Sequence, residues 1–178
     1  MRSVPPSIAV LLYPGCDLLD LVAILHGLRP LEGAARVTTV AERIRPLSPG
    51  APLRLLAERT FAELPSPDLL IVPGGGTAAV AVMTDRHLTG YLRAAATNAE
   101  TVAAVGFGSL LLAAAGVLQG RSATTQAAYA QTLRGLGGLY TAHDLVVDGN
   151  LLTAAGAQAA SRLATALVHR HAPQGEPT

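Results

Sequence analysis

Short runs of apolar and β-branched residues alternate with helical patterns along most of the chain. Four such runs are each long enough for one buried strand: residues 8–13, 36–41, 68–72 and 101–105. Between and after them the sequence predicts helices over residues 17–28, 77–83, 85–98, 109–115, 126–136 and 156–171. Strands that alternate with helices predict an α/β fold, in which a mostly parallel central sheet is covered on both faces.

Local signals define several boundaries of these elements. Asp17 and Asp85 precede helical patterns and are predicted to cap the helix N-termini. The sequence Asp148-Gly149-Asn150 separates two short β-prone segments, 144–147 and 151–153, and predicts a small hairpin late in the chain. Other short pieces are less regular: residues 45–52 carry three prolines, and residues 53–58 and 121–125 are expected to be extended.

Composition narrows the class of protein. The chain has 178 residues, half of them hydrophobic, which predicts one globular domain over residues 1–178 with flexible ends at 1–7 and 172–178. The net charge is +1 with no basic stripe, so direct nucleic-acid binding is not expected. Polar or charged residues interrupt every long apolar run, so we expect no membrane segment and a cytoplasmic protein. One cysteine and scattered histidines predict no metal site, and no cofactor motif is present.

The stretch 101–126 carries the strongest functional signal. A strand over 101–105 meets Gly106-Phe107-Gly108 and then a continuous apolar helix. In α/β proteins such a turn lies at the carboxyl edge of the sheet, beneath the unpaired N–H groups of a helix, where a reactive side chain is expected. Loops 14–20 and 73–77 converge on the same edge. The residue at the apex is Gly106, which has no side chain.

Four blocks follow one another along the chain: LLYPGCDLLDL, DLLIVPGGG, LLAAAGVLQGRSATTQ and DGNLLTAAG. Together they resemble the ThiJ/PfpI superfamily, in particular its isocyanide hydratase-like branch, and the similarity extends from about residue 8 to 167. The resemblance implies a flavodoxin-like three-layer sandwich that forms homodimers. It also implies a site built from a cysteine on the strand-to-helix elbow, an assisting carboxylate and backbone N–H groups.

Carried over residue by residue, the resemblance preserves only part of this site. Asp20 matches the acid/base aspartate of the hydratase-like members, and Gly74 and Gly75 match the loop that offers N–H groups. Gly106 stands at the position of the nucleophilic cysteine. Phe107 replaces a small residue and is expected to point into the substrate space and crowd it.

Further departures lie around the same pocket. The matched blocks put Gly108, Thr125, Gln126 and Thr153 along its lining. Gln126 stands where many members have histidine, and the residues at 154 and 155 are alanines where members usually have glycines. Changes clustered at the ligand edge indicate a naturally degenerate site.

Two other residues are candidates for a replacement nucleophile. Cys16 lies in the first loop, which faces the same edge of the sheet, although a small, partly buried apolar role explains it as well. Ser109 lies at the start of a helix, where serine usually acts as a cap, and the sequence around it is not G-x-S-x-G.

Three functions follow as hypotheses. The first is a non-catalytic or catalytically altered relative that retains a small-molecule pocket at the elbow, as a ligand sensor would. The second is a hydratase, hydrolase or glyoxalase-like enzyme in which Asp20 and backbone N–H groups act on bound water. The third is a structural dimer that acts through protein partners.

Overall fold

In a computed structural model, residues 5–48 and 54–172 are described, and they form nine strands and five α-helices. The strands are β1 (Ser7–Leu11), β2 (Arg36–Ala41), β3 (Arg59–Thr60), β4 (Leu69–Val72), β5 (Thr101–Val105), β6 (Ser122–Ala123), β7 (Leu139–Tyr140), β8 (Leu145–Asp148) and β9 (Leu151–Ala154). The helices are α1 (Leu18–Gly27), α2 (Arg86–Asn98), α3 (Phe107–Ala114), α4 (Ala130–Gly135) and α5 (Ala157–His171).

The central sheet has seven strands in the order β3-β2-β1-β4-β5-β9-β8. All neighbouring pairs are parallel except β8 and β9, which form the late antiparallel hairpin. Gly149 adopts a φ of +60° in the two-residue turn of this hairpin, a conformation that glycine accepts without strain. The predicted mostly parallel α/β sheet with a small late hairpin is therefore confirmed.

The predicted helix caps are also confirmed. The Asp17 carboxylate accepts hydrogen bonds from the backbone N–H groups of Leu19 at 2.8 Å and Asp20 at 3.1 Å. Asp85 caps α2 in the same way. These bonds satisfy N–H groups that have no partner within the helix, and they fix where α1 begins at the ligand edge.

Several predicted elements differ from the structure. Residues Thr77–Thr84 form a 3₁₀ helix, which no side chain caps. The helix predicted over 126–136 is split into a 3₁₀ turn, Ala127–Tyr129, and α4. Within the predicted extended segment 53–58, only residues 54–58 are described, and there Leu55 forms an isolated bridge with Leu47 instead of a strand.

The predicted flexible ends fall partly outside the described residues, which leave out 1–4 and 173–178. Ser7, which was expected in the flexible arm, is instead the first residue of β1. Its backbone N–H and hydroxyl both donate to the Asp68 carboxylate, at 2.8 and 2.9 Å. Residues 49–52 of the proline-containing segment also lie outside the described part.

Helix α3 lies in the centre of the molecule. It begins at Phe107, two residues before the predicted start, and all of its residues from 107 to 113 are buried. Gly108 permits this position, because a Cβ there would lie 2.3 Å from the Val72 carbonyl oxygen of β4. None of the helices within residues 5–48 and 54–172 has the length and hydrophobicity that a membrane-spanning helix requires.

Candidate functional site

The elbow between β5 and α3 has a defined and unusual backbone conformation. Gly106 has φ +50° and ψ −116°, which a residue with a side chain adopts only under strain. Its N–H donates to the Ala154 carbonyl of β9 at 2.8 Å, and its carbonyl accepts from the Thr125 hydroxyl at 2.9 Å. Because the N–H and the carbonyl of Gly106 both form hydrogen bonds, neighbouring segments hold the elbow in this conformation.

The side chain of Gln126 covers the Cα of Gly106. A Cβ built on Gly106 would lie 2.9 Å from Nε2, 3.0 Å from Oε1 and 3.1 Å from Cδ of Gln126. These distances are shorter than ordinary van der Waals contact. An amide group thus occupies the space into which any side chain at position 106 would project.

Asp20 lies in the first turn of α1 and is only 2% exposed. Its Oδ2 accepts a hydrogen bond from the Gly74 N–H at 3.0 Å, whereas Oδ1 is buried without a hydrogen-bond partner among the described residues. Burial, and after it the charge of Asp17, raises the pKa of Asp20 to about 6, against the opposing effect of the Gly74 hydrogen bond. This carboxyl group is able to exchange a proton near neutral pH.

The glycine loop after β4 brings Asp20 against the end of β5. A Cβ on Gly74 would lie 2.1 Å from Asp20 Oδ2 and 3.2 Å from the Val105 carbonyl oxygen. A Cβ on Gly75 would meet the Gly15 carbonyl at 2.8 Å. Two glycines are therefore required here by close approach, and the carboxyl group of Asp20 lies beside the residue that precedes the elbow.

Tyr13 supports this loop, although no sequence pattern predicted a functional role for it. Its hydroxyl is buried and donates to the Pro73 carbonyl at 2.9 Å. Burial is the main reason that the pKa of Tyr13 is raised well above its ordinary value. The available signal was a tyrosine at the end of the apolar run 8–13, because a buried hydroxyl needs a partner.

Phe107 does not lie as predicted. Its side chain is 1% exposed, belongs to the hydrophobic core and packs edge-to-face on Tyr129 with ring centroids 5.6 Å apart. A ring enclosed to this degree presents almost no surface to a pocket. Gln126, which sequence reasoning treated only as a lining residue, is the group that lies over Gly106.

The two threonines expected to line the pocket are buried and bonded to the backbone. Thr125 donates to Gly106, as described above, and the Thr153 hydroxyl accepts from the Thr124 N–H at 2.9 Å. These contacts hold the segment before Gln126 against β9. In this structure both threonines position the elbow.

Neither replacement nucleophile has a supporting environment. Cys16 is fully buried, and burial raises the pKa of its thiol, which disfavours the reactive thiolate. Ser109 lies within α3, and its hydroxyl is buried without a partner among the described residues. Over residues 5–48 and 54–172, no group of three or more His, Cys, Asp or Glu side chains could hold a metal ion.

Comparison with known proteins identifies the family of this fold. The sequence pattern of the DJ-1/PfpI family matches residues 6–170. The chain belongs to the DJ-1/PfpI family. This membership confirms the resemblance that the four sequence blocks carry.

Relatives within the DJ-1/PfpI family include an isonitrile hydratase from Pseudomonas putida, to which the chain is 36% identical over 150 residues. The match covers 84% of this chain and 65% of the hydratase, so the chain spans less than two thirds of that relative. A ThiJ/PfpI family protein from Pseudomonas syringae has 30% identity and a TM-score of 0.90, over 94% of this chain and 69% of that one. The DJ-1beta of Drosophila melanogaster, at 22% identity and a TM-score of 0.83 over 95% and 91% of the two chains, shares the fold.

Proposed function

We propose that this DJ-1/PfpI protein binds a small molecule without covalent capture at the elbow formed by Gly106. One observation carries the proposal: the Gln126 amide, and no nucleophile, occupies the space above the Gly106 Cα. Because no nucleophile stands at position 106, the elbow offers a ligand hydrogen bonds and van der Waals contact but no covalent bond. Binding of this kind suits a ligand sensor.

The neighbouring carboxyl group supports the same proposal. Asp20 is buried, and one of its oxygens has no hydrogen-bond partner among the described residues. Leaving this buried oxygen unpaired costs about 1–3 kcal/mol. Because the pKa of Asp20 is raised to about 6, part of the carboxyl group is protonated near neutral pH and can donate a hydrogen bond to an acceptor such as the terminal carbon of an isonitrile. Because the relative from P. putida is an isonitrile hydratase, a small isonitrile is the first ligand to test.

The pKa of Asp20 favours a second candidate function. With a pKa of about 6, this carboxyl group is partly ionised near neutral pH and could act as a general base on a water molecule. The protein would then hydrate its ligand through Asp20 without a covalent intermediate. Substitution of Asp20 distinguishes this candidate from simple binding.

One experiment separates the two functions. tert-Butyl isonitrile is titrated into ¹⁵N-labelled protein, and the same samples are assayed for N-tert-butylformamide, the product of adding one water molecule. Non-covalent binding predicts saturable chemical-shift changes of the Gly74 and Gly106 amide resonances. No formamide is then expected from wild type or from Asp20→Asn. Formamide production that Asp20→Asn abolishes would establish the enzyme instead, and no saturable shift at these residues would reject binding.

Assembly is a separate proposal. The homodimer that the resemblance implies stays a prediction, which sedimentation velocity of the purified protein tests. A monomer at all concentrations would reject it. The cytoplasmic location also stays a prediction, to be tested by fractionation of cells that express the chain.

A further inference from the structure

The Gln126 side chain lies between two glycines that belong to different parts of the pocket edge. Its Nε2 is 2.9 Å from the Cβ position of Gly106 and 3.8 Å from that of Gly156, which precedes α5. Its Cγ is 3.6 Å from the same point on Gly156. A single side chain therefore separates the elbow from the connection between β9 and α5.

On the Gly156 side of Gln126 lies an open depression of about 410 Å³. Its floor and walls include Ala127, Ala155 and Ala157, whose methyl groups leave it wide. At its rim, Arg162 and Asp144 form an ion pair of 2.8 Å. Because these two charges neutralise each other, the depression suits an uncharged ligand, and its lining offers apolar contact at the alanines and hydrogen bonds at Gln158.

Little in the described part of the chain holds the Gln126 amide over Gly106. Its Oε1 is buried there without a hydrogen-bond partner, and the side chain does not cap the helical turn that follows. A buried unpaired amide oxygen costs about 1–3 kcal/mol, and rotation into the open depression would return that oxygen to water. The closed position therefore has a modest energetic advantage at most.

We propose that Gln126 is a movable partition between the depression and the elbow, and that the depression is the outer half of the ligand pocket. This inference rests on the proposed function. A ligand places its apolar body among the alanines of the depression, and its slender polar end reaches Gly106 and Asp20 once the Gln126 amide has rotated away. Gln126 thus sets which ligands reach the inner half.

The partition is tested by the accessibility of a thiol placed beneath it. In Gly106→Cys the Gln126 amide must shift outward to admit the new Cβ, and we expect it still to lie over the thiol. Wild-type protein supplies the background from buried Cys16. Gly106→Cys/Gln126→Ala is expected to react with iodoacetamide at least about tenfold faster than Gly106→Cys, since a covered thiol reacts only when its cover opens. Gly106→Cys/Gln158→Ala is the matched control, because Gln158 lines the depression. Equal rates with and without Gln126 would overturn the partition.

A matched pair of phenylalanine substitutions tests whether the alkylating reagent enters through the depression. Ala127 and Ala128 are consecutive and both exposed, but only Ala127 is among the residues that line the depression. In the Gly106→Cys/Gln126→Ala background, Ala127→Phe is expected to slow alkylation severalfold, whereas Ala128→Phe leaves the rate unchanged. Equal rates for the two phenylalanine variants would show that access takes another path.

A measurement of ligand affinity needs no cysteine at position 106, and it separates this inference from the proposed function. Gln126→Ala is expected to bind tert-butyl isonitrile about fivefold or more tightly than wild type, because the variant no longer populates a closed state. If the isonitrile binds neither protein while alkylation still accelerates, the proposed function fails and the partition stands. If it binds both with equal affinity, the partition fails and the proposed function stands.

Discussion

Replacing Gly106 by alanine tests the central geometric claim about the elbow. The backbone at φ +50° and ψ −116° is held by hydrogen bonds to Ala154 and from Thr125, so it is not free to relax. A non-glycine residue in such a conformation costs about 1–3 kcal/mol. The added Cβ also lies within 3.1 Å of three Gln126 atoms, and pushing that flexible amide away costs about 1 kcal/mol.

Part of this loss is offset in the unfolded state. Alanine restricts the unfolded chain more than glycine does, which returns about 0.4–1 kcal/mol. We therefore expect Gly106→Ala to lower the free energy of unfolding by about 1–3 kcal/mol. In Gly106→Ala/Gln126→Ala the contact is absent, so the double-mutant cycle should show a coupling of about 1 kcal/mol.

The assay is urea unfolding followed by far-UV circular dichroism, with Gly90→Ala as the matched control. Gly90 lies in α2 with no positive φ and with nothing within 4 Å of its Cβ position. The same substitution should stabilise the protein there by about 0.5–1 kcal/mol. Equal effects at positions 90 and 106 would refute the claim of strain, and zero coupling to Gln126 would refute the claim that its amide covers the elbow.

Four further predictions concern Asp20 and its neighbours. The folded-state pKa of Asp20 is raised from 3.8 to about 6, so its contribution to stability is fully present below pH 3.8 and is lost as the pH rises through about 6. The unfolding free energies of wild type and Asp20→Asn should therefore diverge by up to about 3 kcal/mol across that range. Parallel pH profiles would contradict this prediction. Asp17→Ser keeps a capping oxygen but removes the negative charge. The pKa of Asp20, measured by ¹³C NMR titration, should therefore fall, while the free energy of unfolding changes by only a few tenths of a kcal/mol. An unchanged pKa would exclude the charge effect. Gly74→Ala puts a Cβ against Asp20 Oδ2 and should lower the free energy of unfolding in urea by about 2–4 kcal/mol. An unchanged free energy of unfolding would disprove this close approach. Cys16 should react with iodoacetamide at least about tenfold more slowly in native protein than in urea, and comparable rates would show that its thiol is accessible.

Local sequence signals predicted much of the fold because they act over a few residues. Buried strands appear as apolar runs, Asp17 and Asp85 cap helices through their own nearest N–H groups, and the turn at Gly149 needs a positive φ. The same reasoning was less reliable where no such signal exists. The segment after Gly76 has no capping side chain and forms a 3₁₀ helix instead of the predicted α-helix.

The residues of the candidate site stay a prediction from the sequence, and the structure shows an arrangement of them that the sequence did not predict. The sequence by itself determined that the elbow carries no nucleophile, since Gly106 has no side chain, and that Asp20 lies near the start of a predicted helix. Only the tertiary structure decided what fills the space above Gly106. Phe107 is enclosed in the core, and Gln126, twenty residues further along the chain, lies over the elbow. The physical reason is that contacts between distant segments depend on how β5, β9 and their loops pack, and no local pattern encodes them.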